Sequence, residues 1–210
     1  MNGPTLYSEE QLDYLKEVMN IGAGNASTAL SQLMGRDVVI EMPRILEVSI
    51  AEAHSLFGGA EEPVVCAGMD LVGDVAGTLF FLAQDEEKNK IEAYVGKYLN
   101  GAMKKEARES AFEEVANIIA GVFLTAVHDY TGLHVYHTVP VVVRDAVEAL
   151  FEEPISTVFT AAPKAVIAEI EFVSLPDGMR ALLSMIPTPA ALEKILGSMK
   201  GVRQGYGMGE

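Results

Sequence analysis

Apolar residues in the first part of the chain recur at helical spacing. Leu15, Met19, Ala26, Leu30 and Leu33 fall on one stripe of a 3.6-residue period. Ser8, with Gln11 three residues on, forms a capping signal, and Gly35 marks a stop, so the pattern predicts a helix from Ser8 to Gly35. A second stripe, displaced roughly 200° from the first, carries Asp13, Glu17, Asn20 and Gly24. Further on, a helical pattern over 50–57 leads to strand-like "EPVVCAGMDLV" and "DVAGTLFFLA", then to a helix from about Asp85 to Asn100. The second half repeats this order. A helical pattern over 144–153 precedes "KAVIAEIEFVSL" and "GMRALLSMI", and a last helix starts at Pro189 and runs to about Met199. Strands joined by so tight a Gly/Asp turn must be antiparallel.

The two halves also agree in sequence. "EVMNIGAGNASTALSQLMGRDVVIEMP" (17–43) lies over "EVANIIAGVFLTAVHDYTGLHVYHTVP" (114–140) without a gap, at an offset of 97, with 11 of 27 positions identical. The identities include Glu17/Glu114, Asn20/Asn117, Gly24/Gly121, Thr28/Thr125, Gly35/Gly132 and Pro43/Pro140. A repeat of this length sets the fold before any local detail does. The expected fold class is α+β: a pseudo-twofold duplicated unit in which an antiparallel sheet supports two long helices. One domain is expected over 1–200, with repeats of about 8–102 and 105–200 and a frayed Gly-rich tail over 201–210.

An exposed carboxylate and carboxamide on a helix ordinarily mean only solubility. Recurrence changes their weight, because a merely solvated face loses residue identity between repeats. Glu, Asn and Gly recur in register while several core positions differ, so the motif faces read as functional. The glycines sharpen the point, since each costs a helix interior about 1 kcal/mol relative to Ala.

Composition narrows the partners. A net charge of −15 repels a phosphate backbone and an anionic membrane surface, so neither nucleic acid nor membrane is expected. The single cysteine, Cys66, has no internal partner for a disulfide, which suits a reducing, cytoplasmic setting. No signal peptide and no window near the ~20 apolar residues of a spanning helix are visible. His134 and His137 fall in a strand-like stretch, where their side chains are expected on opposite faces. His54 and His128 are isolated, and no metal site is expected. Neither a nucleophile elbow nor a phosphate loop appears, and "GAGNAS" fails the dinucleotide fingerprint.

The spacing Asp/Ser, three residues, Glu, two residues, Asn, then 22 residues and Pro occurs twice: Asp13, Glu17, Asn20, Pro43, and Ser110, Glu114, Asn117, Pro140. This doubled pattern resembles the CheC phosphatase family of bacterial and archaeal chemotaxis, over nearly the whole chain. The resemblance implies hydrolysis of the phosphoaspartate of the response regulator CheY. Asn20 and Asn117 would orient the attacking water, and Glu17 and Glu114 would pair with the regulator's lysine. Asp13, Gly24, Ser110 and Gly121 would border the docked partner. No cofactor of the chain's own is implied, and the divalent metal, Mg2+, would belong to CheY. The resemblance also implies a second partner, the receptor deamidase CheD, at Asp145, Glu148 and Glu152, although Glu148 replaces a usual glycine and Glu152 a usual aspartate. The alternative reading is a non-catalytic adaptor that regulates CheD or docks on the flagellar motor. A scaffold whose Glu and Asn only satisfy an interface is a third. The duplicated chain contains its own pseudo-dimer, so a monomer is expected.

Overall fold

The computed structural model describes residues 6–49, 63–98 and 111–205. Its elements in chain order are α1 (Glu9–Met34), β1 (Val38–Ile40), β2 (Arg44–Ser49), β3 (Val64–Gly73), β4 (Gly77–Ala83), α2 (Asp85–Tyr98), α3 (Ala111–Thr131), β5 (Val135–His137), β6 (Val141–Asp145), α4 (Val147–Phe159), β7 (Lys164–Ser174), β8 (Arg180–Pro187) and α5 (Pro189–Gly205).

Helix α1 starts where its capping signal stands. Ser8 Oγ accepts from the Gln11 amide at 3.2 Å, and Gln11 Oε1 accepts from the Ser8 amide at 2.8 Å, a complete capping box. It ends at Gly35 with φ +63°, and α3 is followed by Gly132 at φ +72°, so both copies of this identity serve the same left-handed turn.

The strands form one eight-stranded sheet in the order β1-β7-β8-β4-β3-β5, with β2 also on β7 and β6 also on β3. Every pairing is antiparallel. Exchanging β1–β4 for β5–β8 reverses this order onto itself, which places the pseudo-twofold axis between β4 and β8. The repeats are interlocked: β1 and β2 of the first pair with β7 of the second, and β5 and β6 of the second pair with β3 of the first.

Burial is nearly continuous along the central strands because both faces are covered, and successive residues go to two different cores. Val65, Ala67, Met69 and Leu71 of β3, with Leu79 and Phe81 of β4, join the larger core beneath α1 and α3. Val64, Cys66, Phe80 and Leu82 point the other way, into a second core closed by Phe151, Ile155 and Val158 of α4. Cys66 is fully buried, and burial pushes its thiol up to about 12, so it is unreactive at neutral pH.

Three boundaries differ from the sequence reading. The helix expected over 144–153 begins at Val147, because Val141–Asp145 pair with β3 as a strand. It then continues through Pro154 to Phe159, since Phe151, Ile155 and Val158 at helical spacing gain more by burial than the missing amide bond costs. Helix α5 runs to Gly205, past the expected start of the tail. By length and composition α3 is also apolar enough to cross a membrane, but Phe112, Ile119 and Phe123 bury it in the core. The helix expected over 50–57 lies outside the described residues.

Gly22 and Phe123 set the approach of α1 to α3. A Cβ on Gly22 would lie 2.6 Å from two ring carbons of the fully buried Phe123 and 3.2 Å from its carbonyl oxygen. Around Gly24 a Cβ would meet nothing within 4 Å. Gly22→Ala is therefore expected to destabilise the fold by about 1–3 kcal/mol through overpacking. Gly24→Ala should be neutral or stabilise it by up to about 1 kcal/mol. Urea denaturation of the two variants checks both.

A polar tether joins α1, α2 and the β7–β8 turn. The Arg36 guanidinium lies 3.5 Å over the Tyr94 ring and ion-pairs with Asp177 at 2.7 Å, and the Tyr94 hydroxyl donates to the same carboxylate. The Tyr94 hydroxyl above all, with the Met179 amide and Arg36 among the further contributors, pushes the Asp177 carboxyl down to about 2. A depressed carboxyl stabilises the fold above its unfolded value of 3.8, and that stabilisation is lost as pH falls toward 2. Asp177→Asn should lower stability at neutral pH and flatten its acid loss between about pH 4 and about pH 2, read from acid titrations followed by circular dichroism.

Candidate functional site

The two motif helices run antiparallel. Tyr14 near the start of α1 stacks on Tyr130 near the end of α3, with centroids 6.1 Å apart, while Gly22 meets Phe123 further along. Each helix turns its buried stripe to the sheet and its neighbour. That orientation leaves Asp13, Glu17, Asn20 and Gly24 exposed on α1. On α3, Glu114 is exposed, and Asn117 and Gly121 are half-buried. Ser110 lies outside the described residues.

The polar groups of these faces are not used to hold the fold. Among the described residues, no side chain hydrogen-bonds or ion-pairs with Glu17, Asn20, Glu114 or Asn117. Asp13 ion-pairs with Lys16 at 3.0 Å on the surface, an interaction worth little. One turn separates each glutamate from its asparagine, so a carboxylate and a carboxamide stand side by side toward solvent on both helices.

A detail beside the motif escapes sequence reasoning. Thr28 Oγ1 donates to the Gly24 carbonyl at 3.0 Å, and Thr125 Oγ1 to the Gly121 carbonyl at 2.8 Å. A glycine on an exposed face leaves its carbonyl uncovered, and each threonine engages it from the next turn. The identity Thr28/Thr125 in the repeat was the available signal.

The structure brings parts of the two motifs together. A cleft of about 1340 Å³ runs between the first half of α1 and the last half of α3. Asp13 and Glu17 line one wall, Asn117 and Gly121 the other, with Ile21, Ile118 and Met199 between them and Asp129 adding charge. Asn20, Gly24 and Glu114 do not line it. The faces are thus not two isolated patches: Glu17 borders the same space as Asn117. Within the cleft Asn25 is already engaged, its Nδ2 donating to the Ile21 carbonyl at 3.0 Å.

The remaining candidates separate from this face. Asp145 ends β6, where its Oδ1 accepts from the Ala146 amide at 2.8 Å. Glu148 and Glu152 are exposed on α4, on the opposite side of the sheet from α1 and α3. His134 and His137, expected on opposite faces, border one small pocket beside α3. The strict alternation fails because β5 is only three residues long and His134 precedes it. His128 is not isolated, since its ring stacks on His134 with centroids 4.9 Å apart. Among the described residues no group of three or more His, Cys, Asp or Glu side chains is placed to hold a metal ion.

Comparison with known proteins meets the same helices. The model of the CheC-like family matches residues 10–47 and 108–144, two segments that contain nearly all of α1 and all of α3. The CheY-P phosphatase CheC of Bacillus subtilis is 31% identical over 193 residues, covering 89% of this chain and 92% of that protein. Among solved structures, Thermotoga maritima FliY superposes with a TM-score of 0.70 at 19% identity, over 94% of this chain and 100% of that one. CheX of Borrelia burgdorferi, solved in complex with CheY, BeF3 and Mg2+, gives a TM-score of 0.53 at 16% identity, over 84% and 98%. These structures share the fold, and the motif-bearing segments and the Bacillus relative place the sequence: the chain belongs to the CheC-like family of chemotaxis proteins.

Proposed function

We propose that the protein is a phosphatase of the phosphorylated response regulator CheY, acting through the exposed faces of α1 and α3. One observation carries this reading: the Glu–Asn pair is duplicated and, among the described residues, unpartnered on both helices. Groups kept for folding would be engaged. The Bacillus relative, described as a CheY-P phosphatase, supports the same substrate.

The chemistry asks little of such a site. An acyl phosphate on the partner needs no nucleophile from the phosphatase, only a water held in line and a fixed approach. In this reading the carboxamide of Asn20 or Asn117 orients that water, accepting through oxygen and donating through nitrogen without titrating near neutrality. Glu17 or Glu114, one turn back, pairs with a cationic side chain of the regulator and holds the docked helix. Gly24 and Gly121 let the partner approach the helix backbone, whose carbonyls Thr28 and Thr125 already engage. The divalent cation belongs to the regulator. Asp145, Glu148 and Glu152 stand on the far side of the sheet, which leaves CheD a surface separate from the CheY face.

Phosphate release from phosphorylated CheY tests the proposal. Wild type should accelerate the decay, and Asn20→Ala with Asn117→Ala together should remove on the order of 10²-fold or more, as expected for a lost transition-state contact of about 3 kcal/mol. The single variants show how the work divides between the helices. Binding without acceleration by wild type would make the chain an adaptor. Glu152→Lys should weaken capture of CheD in a pull-down while leaving dephosphorylation unchanged.

A further inference from the structure

The two motif faces have different neighbours. Three of the chain's four histidines, His128, His134 and His137, gather beside α3, and the fourth, His54, lies outside the described residues. The offset of 97 maps them onto Ser31, Asp37 and Ile40, so the corresponding places in the first repeat carry no imidazole. A pocket of about 270 Å³ joins this cluster to the motif face, with Gly121 and Thr125 on its wall.

His137 is the member aimed at that face. Its Nδ1 lies 2.9 Å from the Thr138 carbonyl oxygen, which only accepts, so the proton sits on Nδ1 and the neutral ring keeps a bare Nε2. That Nε2 lies 3.8 Å from where a Cβ on Gly121 would stand, one turn beyond Asn117. The ring is held in place through Thr138: its amide donates to the Asp70 carbonyl at 3.0 Å, and its Oγ1 accepts from the Asp70 amide at 3.0 Å. The titratable groups around it are His128 from α3, His134 beside β5, and Asp70 and Asp74 from β3 and its turn. Asp74 is occupied by the His134 amide and by Lys194 of α5.

We propose that His137 is a docking residue of the α3 face, which makes that face's hold on a phosphorylated, anionic partner pH-dependent, while the α1 face, with Ile40 in its place, has no such dependence. Imidazole is the side chain that ordinarily gains its proton near neutrality. Protonation turns Nε2 from an acceptor into a cationic donor directed at the space beside Gly121, one turn beyond Asn117, on the face that would receive the anionic partner. The α3 face then binds more tightly as pH falls. The partner's identity rests on the phosphatase reading above.

Single-face variants separate the two contributions. Asn20→Ala leaves only the α3 face active, and Asn117→Ala only the α1 face. For Asn20→Ala, KM for phosphorylated CheY should rise about fivefold between about pH 6 and about pH 8 with kcat steady, which converts to about 1 kcal/mol at about 1.4 kcal/mol per tenfold. Asn117→Ala should show no such rise. Adding His137→Ile to Asn20→Ala should abolish the rise by leaving KM high at both pH values, and His137→Lys should abolish it by keeping KM low. Equal pH profiles for the two single-face variants, or a profile that His137→Ile leaves unchanged, would overturn the proposal. If wild type does not hydrolyse the phosphate, the Kd of wild type and His137→Ile for CheY carrying beryllium fluoride decides at the same two pH values. A wild-type slope that His137→Ile removes supports the role of His137 even as the phosphatase reading fails. A slope common to both proteins overturns it, and absence of binding overturns both.

Discussion

The close approach of α1 to α3 is the contact on which the molecule depends. Gly22 gives up its side chain so that the Phe123 ring can occupy the gap, and the helix-propensity cost of that glycine is set against a buried aromatic. The pseudo-symmetry is kept in the backbone and broken in the side chains. The offset that relates the repeats carries Gly22 to Ile119 and Phe123 to Ala26, so the bulk falls on α3 at both places. Helix α1 is the slender partner at this crossing, and the cleft bordered by Glu17 and Asn117 opens along the same seam.

The interlocked sheet beneath gives this helix pair a rigid floor. Each repeat's β-hairpin is flanked by edge strands from the other, and the turns follow the same exchange. Asp177 in the second repeat is tied to Tyr94 of the first, while Asp74 in the first is tied to Lys194 of the second. A motif carried on such a helix is positioned by contacts from both repeats, which suits a site whose work is geometric.

Much of this was legible in the residues. The capping box at Ser8, the stop at Gly35 and the register of the repeat each depend on neighbours in sequence, and each stands where the pattern put it. The buried stripe of α1 and the exposed Asp13, Glu17, Asn20 and Gly24 follow from helical period alone. What escaped depends on partners distant in the chain. Arg144 and Asp145 fall within the helical pattern because nothing local reveals that β3 pairs with them as strand. Nothing in the local sequence separates Gly22 from Gly24, and only the ring of Phe123 distinguishes a packing glycine from the open one. The shared cleft joins residues of different motifs, and no spacing within one helix encodes that. The sequence pairs only His134 with His137 and leaves His128 isolated, whereas the grouping of all three beside α3 arises from the turn that follows Gly132.

The exchange of strands also bears on how the chain comes into being. As it leaves the ribosome, β1 and β2 emerge with no partner until β7 has been made, more than a hundred residues later. Strand β3 likewise shows a bare edge until β5 and β6 arrive. The first repeat cannot complete its sheet before the second has been made, and its open edges are competent to pair with another nascent copy. The sheet closes only when segments far apart in the chain meet, the kind of long-range pairing that topology makes slow.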